Sequence, residues 1–277
     1  MISLTKFLFS IDVVRRRDKL IIFIGNFLYL ATRTFVRMIV GKEKRNKIFE
    51  LHRIGSGRFF LCDVLIKYRG FICHVRKNSS DYQLLSGHHE PEVENFLLSH
   101  LNENDNFIDI GANVGKYVFL ASKKIRRGRI VAVEPHPEVF KILKENVFLN
   151  SLQVECFQLA IGEKDDSIRL YENPANSGGH SIIPINGIKG KYFEVRMMKL
   201  DTLIGKLGIE KINWLLIDTE GAEDSILRNA NVTLSITDNL IVEIHNEKNM
   251  EFVSTLLKNK NYKLIIDRGK IYANRSV

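Results

Sequence analysis

One run of residues, Asp109-Ile-Gly111-Ala-Asn113-Val-Gly115, combines an acid with two glycines in the space between an apolar stretch and a helix-forming stretch. Glycines at such a turn let the backbone come close to a ligand, and the helix N-terminus beyond it offers unpaired N–H groups to a negative group. Glu134 stands 25 residues after Asp109, at the end of the next apolar stretch. A carboxylate placed there can accept both hydroxyl hydrogens of a ribose. A glycine turn with an acid at the end of the second strand points to a nucleotide-type cofactor. The dinucleotide fingerprint G-x-G-x-x-G is not met, since Asn113 and Lys116 stand where its second and third glycines belong. An acid just before the first glycine, as at Asp109 two residues ahead of Gly111, suits a cofactor carrying an ammonium group. S-adenosylmethionine has that ammonium, a carboxylate for the helix N-terminus and a ribose for Glu134.

A second constellation is made of Asp218-Thr-Glu220-Gly-Ala-Glu223 and His245. Methyl transfer to a hydroxyl is an in-line displacement that needs the acceptor positioned and its proton accepted by a group titrating near neutral pH. His245, or Asp218 with Glu220, is the expected proton acceptor. A carboxylate–histidine set can equally hold a divalent metal, and spacing does not decide between the two, so no metal ligand is assigned. Glu223 reads more simply as a helix cap, and Asp218 also as an organiser of the turn.

Short apolar runs alternating with helical periodicity supply the elements that position these residues. Strands are expected at 106–110, 129–134, 154–161, 213–218 and 240–245, with a later one at 262–267; helices at 91–101, from Pro137, and at 201–207, 222–230 and 249–259. Val118, Ala121 and Ile125 repeat at helical spacing directly after the glycine turn. This alternation predicts an α/β fold of Rossmann type, a doubly wound and mostly parallel sheet with ligands at its carboxyl edge. Residues 59–67 and 71–76 read as a hairpin turning at Arg69-Gly70, and Trp214 as core. Residues 173–190 carry four glycines and two prolines and predict a long functional loop. His88-His89-Glu90 reads as a solvated loop rather than a metal site.

Of the 277 residues, 45% are hydrophobic and 26% charged, a globular balance. The net charge of +9 is concentrated at the start, where residues 1–50 hold 11 Lys/Arg against 4 Asp/Glu. The remainder is nearly neutral, which argues against nucleic acid as the partner. Three cysteines without CxxC spacing predict small core residues in a reducing, cytoplasmic setting. Residues 15–47 join a basic run to an apolar stretch and fit either contact with an anionic membrane surface or a helix packed on the protein. The chain thus divides into a basic N-terminal helical segment (1–50), a hairpin and helix lead-in (51–105) and a cofactor domain (106–277).

Phe107-Ile-Asp-Ile-Gly-Ala-Asn-Val-Gly, Val133-Glu-Pro-His-Pro and Leu216-Ile-Asp-Thr-Glu-Gly-Ala-Glu, with Leu200-Asp201-Thr202-Leu203 and Val242-Glu-Ile-His245, resemble the FkbM family of class I S-adenosylmethionine-dependent methyltransferases. The resemblance implies that Asp109, Gly111 and Gly115, with Asn113 in the same loop, meet the methionine end of the cofactor and that Glu134 meets its ribose. It places Ala160-Ile161-Gly162 by the adenine and Asp81-Tyr82 in a segment that covers the cofactor. It implies O-methylation of a small molecule, often a sugar or glycan hydroxyl. The sequence lacks the Asn-Pro-Pro-Tyr/Phe and Pro-Cys elements of base methylases. The reading from a different class is a non-catalytic S-adenosylmethionine- or nucleotide-sensing module tethered to a membrane.

Overall fold

The computed structural model describes residues 63–77, 79–85, 87, 89–171 and 192–275. The basic segment 15–47, Cys62, His88 and the loop 173–190 lie outside the described residues. Among the described residues no helix is long and apolar enough to cross a membrane. The chain forms two compact units, the first ending at Pro91 in the main chain and the second carrying most of the residues from Glu92 onward.

In the first unit, β1 (Val64–Tyr68) and β2 (Phe71–Val75) pair antiparallel across the Arg69-Gly70 turn, as the sequence predicts. A single helical turn, α1 (Asp81–Leu84), comes next. Its buried Asp81 is held by Arg76 through Nε at 2.8 Å and Nη2 at 2.7 Å.

The second unit runs α2 (Pro91–His100), β3 (Phe107–Ile110), α3 (Lys116–Lys124), β4 (Ile130–Val133), α4 (Pro137–Leu149), β5 (Glu155–Phe157), β6 (Ala160–Ile161), β7 (Asp166–Tyr171), β8 (Tyr192–Met198), α5 (Leu200–Leu207), β9 (Ile212–Ile217), α6 (Glu223–Arg228), α7 (Asn231–Ser235), β10 (Thr237–Glu243), α8 (Glu247–Asn259), β11 (Lys263–Asp267) and β12 (Lys270–Asn274). Seven strands form one sheet in the order β11-β12-β10-β9-β3-β4-β5. The five strands from β10 to β5 are parallel, and β12 is inserted antiparallel between β10 and β11.

Strands β3 and β4 are buried at every position, as parallel strands covered on both faces must be. Alternation sends Ile108 and Ile110 to one apolar cluster, with Leu203, Ile226, Val253 and Leu257 of α5, α6 and α8. Phe107 joins the other cluster, with Leu97 of α2, Val118 of α3, Leu143 of α4 and the predicted core residue Trp214. Asp109 shares the Phe107 side of the strand, so a carboxylate enters the layer beneath α3 and α4. A buried ion pair, Lys116 Nζ to Glu94 Oε1 at 3.3 Å, joins α2 to α3. Lys116 occupies the place where a dinucleotide fingerprint has its third glycine.

Several expected boundaries are corrected. The strand expected at 154–161 is two strands, β5 in the main sheet and β6 in a separate sheet of order β6-β8-β7. The helix expected at 222–230 ends at Arg228, and α7 starts anew at Asn231. Asp201 explains that restart, since its carboxylate accepts from Val232 N at 3.0 Å and Thr233 N at 2.8 Å at the N-terminus of α7. Strand β10 ends at Glu243, so His245 lies two residues beyond it in the loop before α8.

Candidate active site

The site is assembled where four parallel strands end. Gly111 N and Ala112 N both donate to Val133 O, at 2.9 and 3.0 Å, which draws the end of β3 onto β4. On the other side Asp218 N donates to Ile110 O at 2.9 Å, which brings the end of β9 alongside. Gly111 has φ +89°, and a Cβ on it would lie 1.7 Å from the Asp218 carbonyl oxygen. The close approach that requires glycine is therefore to the neighbouring strand end, a different reason from the ligand approach expected from the sequence. Gly115 has φ +99° and precedes α3 as its cap residue. Between them, Asn113 adopts φ +50°, with its side-chain oxygen accepting from Val114 N at 2.9 Å.

Glu134 comes directly after β4 and braces this loop. One carboxylate oxygen accepts from Asn113 N at 3.0 Å and the other from His136 N at 2.8 Å. Each oxygen of a carboxylate has a further lone pair, so these bonds orient the group toward the loop without exhausting it.

Asp109 behaves differently. It is 0% exposed, and neither carboxylate oxygen has a hydrogen-bond partner among the described residues. Burial, together with the nearby charge of Glu134, pushes its pKa up to about 8. An unpaired buried carboxyl is costly, and such groups mark sites whose partner arrives with a ligand. A cationic hydrogen-bond donor is the partner that would satisfy this carboxyl in its ionised form. The described residues therefore fit a cofactor that carries an ammonium group against the end of β3.

Ala160 lies in β6, and its side chain packs with Leu170, Val195 and Met197 in a small apolar cluster. The turn expected at 160–162 is thus partly strand, with Ala160 and Ile161 paired to Met197 and Met198 of β8.

The second constellation comes together as a network around His245. Its Nδ1 lies 3.0 Å from Glu223 Oε1, and its Nε2 lies 3.4 Å from Glu220 Oε2 and 3.9 Å from Asp218 Oδ1. Burial alone would lower the pKa of the imidazole. The hydrogen bond to Glu223 and the charges of Glu223, Glu220 and Asp218 outweigh it and hold the group up at about 9. The ring is therefore an imidazolium at neutral pH. Glu220, in the left-handed region at φ +54°, has its pKa raised by burial.

Glu223, read from the sequence as a cap, proves to be the hub of this network. It is 0% exposed and accepts from Gly221 N at 2.8 Å, Thr219 Oγ1 at 3.3 Å and Asn249 Nδ2 at 3.4 Å. Although burial pushes its pKa upward, the bonds from His245 and Gly221 hold it below the ordinary glutamate value. Its spacing to Asp218 is visible in the sequence, but the partnership with His245 spans 22 residues and is created by the β9–β10 pairing. Among the described residues no group of three or more His, Cys, Asp or Glu side chains is arranged to hold a metal ion.

A family model described as the methyltransferase FkbM domain matches residues 109–264, more than half of the chain. The chain is 26% identical over 187 residues to "Methyltransferase 1" of Beauveria bassiana, covering 60% of this chain and 75% of that protein. It is also 26% identical over 168 residues to the hexuronic acid methyltransferase AglP of Haloferax volcanii, covering 61% and 67% respectively. Among solved structures, the methyltransferase FkbM from Methylobacillus flagellatus aligns with a TM-score of 0.44 at 17% identity, covering 69% of this chain and 53% of that one.

Proposed function

Given that the chain belongs to the FkbM methyltransferase domain family and that its cofactor is S-adenosylmethionine, we propose that it methylates a hydroxyl oxygen of a small molecule or sugar. The observation that carries this reading is the His245–Glu220–Asp218 cluster, set at the same sheet edge as the partnerless Asp109.

When bound, S-adenosylmethionine supplies a methyl group activated by a positively charged sulfur. In this reading Asp109 receives the cofactor's ammonium, with the Gly111–Gly115 loop beside it, and Glu134 accepts from the ribose hydroxyls. Asp218 and Glu220 accept a hydrogen bond from the acceptor hydroxyl and hold its oxygen toward the methyl carbon. Transfer would break the sulfur–methyl bond as the oxygen–methyl bond forms, leaving S-adenosylhomocysteine, and the hydroxyl proton would pass to this cluster. Near pH 7 the imidazolium cannot take it, so a carboxylate does, and burial, by raising the pKa of Glu220, strengthens that group as a base. Above about pH 9 the neutral ring of His245 takes over that role.

The test is transfer of labelled methyl from S-adenosylmethionine into an extract of the native host, with identification of the methylated atom. An O-methyl product and a His245→Ala variant that binds cofactor but turns over at least 10-fold more slowly are expected. An N- or C-methyl product, or full turnover by the variant, overturns the assignment.

A further inference from the structure

Beyond His245 the same sheet edge opens into a pocket of about 410 Å3, between the first turns of α8 and the β11–β12 turn at Gly269. That volume falls within the range of small-molecule sites, roughly 300–1,000 Å3. Its wall includes His245, the apolar Ile244 and Met250, the carboxylates of Glu247 and Glu251, and Ser254. Ser254 is 9% exposed, and its hydroxyl is buried with no hydrogen-bond partner among the described residues. A buried hydroxyl left unpaired is destabilising, and a polar ligand in the pocket is what would satisfy it.

Carboxylates outnumber the single cation, the His245 imidazolium, around this pocket. Glu247 and Glu251 lie one helical turn apart on the same exposed face of α8. Asp218 and Glu220 add negative charge beside His245, whose own charge is already engaged by Glu223. No lysine or arginine lines the pocket. The two cations that flank Gly269 are turned to other carboxylates, Arg268 to Glu92 at 3.8 Å and Lys270 to Glu243 at 3.6 Å. A carboxylate accepts hydrogen bonds well from neutral hydroxyls, whereas an anionic ligand here would meet several like charges, with only the His245 imidazolium, already bonded to Glu223, as counter-ion.

We propose that this pocket holds the acceptor and that the acceptor is an uncharged polyhydroxy ring, a neutral glycoside rather than a hexuronate. Its hydroxyls donate to Glu247 and Glu251, one of them bonds Ser254, and its C–H face packs on Ile244 and Met250. The proposal rests on the methyltransferase reading above. It also separates this chain from the relative whose name marks a hexuronic acid as its substrate, because a ring carboxylate is the feature this pocket repels.

Ligand-observed NMR titration tests it on the full chain, saturated with S-adenosylhomocysteine. The probes are the methyl glycosides of glucose, galactose and mannose and the methyl glycoside of each corresponding uronic acid. At least one neutral glycoside is expected to bind at least ten-fold more tightly than its uronate. Glu247→Lys/Glu251→Lys is expected to cancel or reverse that ratio with S-adenosylhomocysteine affinity unchanged, since both side chains are exposed. Ser254→Ala is expected to weaken the neutral glycoside several-fold. A uronate that binds as well as its parent, a ratio unmoved in the double variant, or no glycoside binding overturns the proposal. The methyltransferase reading fails separately, on loss of S-adenosylhomocysteine binding or of methyl transfer into host extract.

Discussion

The buried carboxylate of Glu223 lies 3.0 Å from Nδ1 of His245 and thereby directs Nε2 of the same ring toward Glu220 and Asp218. A histidine bonded at one nitrogen by a buried acid is fixed in orientation and presents the other nitrogen to the open side of the site. Glu223 is thus a positioning residue in the proposed reaction, since it touches the ring and not the acceptor.

Replacing Glu223 by Gln keeps the shape and removes the charge. The His245 pKa, held at about 9 chiefly by Glu223, is expected to fall toward its ordinary value of 6.5. The pH above which the ring can accept the acceptor proton is expected to fall with it, so the pH profile of turnover should shift to lower pH. An NMR titration of the His245 ring checks this independently of activity. A ring that still titrates near 9 in Glu223→Gln would show that Glu223 serves the fold alone.

The same pairing ties stability to pH. In the folded protein the His245 pKa lies above its unfolded value, so the stabilisation is fully present below about pH 6.5. It is lost as pH rises through about 9. The ring is partly open to solvent, so the contribution is on the order of 1–2 kcal/mol after screening. Denaturant melts of the wild type and His245→Ala at pH 6 and pH 9.5 measure it. The gap between the two proteins should shrink at the higher pH; a constant gap means that packing, not charge, sets the cost of the variant.

Much of this architecture is legible before any coordinates. Glu134, Asp218 and His245 each come after an apolar run and Asp109 near the end of one, and parallel strands buried on both faces have to read as such runs. The alternation then places all four at one edge. What the residues do not disclose is pairing across long separations. The Glu223–His245 contact depends on β9 lying beside β10, and Asp201 serves a helix about thirty residues away. Residues 154–161 read as one strand because Leu159 and Ala160 continue the apolar pattern, but the chain changes sheets there. Strands β7 and β8 escape notice because they form a small sheet with charged residues on the exposed face. Strand β12 begins after a two-residue turn at Arg268-Gly269 and is too short for its period to register.

Asp201 sits in a segment that resembles the family pattern, yet its contacts are structural. Its carboxylate caps α7 through the backbone N–H groups of Val232 and Thr233 and the Thr233 hydroxyl. Asp201→Ala is expected to cost about 1–2 kcal/mol of stability, the usual loss on removing a good cap. S-adenosylmethionine affinity should be unchanged by calorimetry. A large loss of affinity would assign the residue to the cofactor instead.

Gly111 is constrained from both directions. Its φ of +89° is strained for any side chain, and a Cβ would meet the backbone carbonyl of Asp218, which cannot swing away as a flexible side chain can. Gly111→Ala has to push the end of β9 from β3, disturbing the bond from Asp218 N to Ile110 O. A loss of about 3 kcal/mol or more is expected, the range of strain combined with overpacking. The acids at 109 and 218 would part with it. Gly221, with open space around its Cβ, is the control, where Ala meets only the conformational penalty of φ +108°. Equal losses at the two positions in thermal melts would mean that the close approach of the strand ends contributes nothing.

The buried Asp109 links cofactor binding to proton release. Its folded pKa is raised from 3.8 to about 8, so between those values the folded chain holds a proton that the unfolded chain has lost. Stability therefore falls as pH rises through that window, the reverse of a salt-bridged carboxylate. A cationic ligand group reverses the preference, because an ammonium beside the carboxyl favours its ionised form. Binding of S-adenosylmethionine near pH 6.5 is accordingly expected to release close to one proton, and affinity to strengthen up to about pH 8. Calorimetry in buffers of different ionisation heats counts that proton. Asp109→Asn should be more stable than the wild type above pH 8, by on the order of 1–3 kcal/mol, since a charge buried without a partner has been removed. It should bind cofactor about 10- to 100-fold more weakly, with no proton released. A wild type that binds without releasing a proton near pH 6.5, or an Asn variant that matches its affinity, would mean that the ammonium is held by other groups.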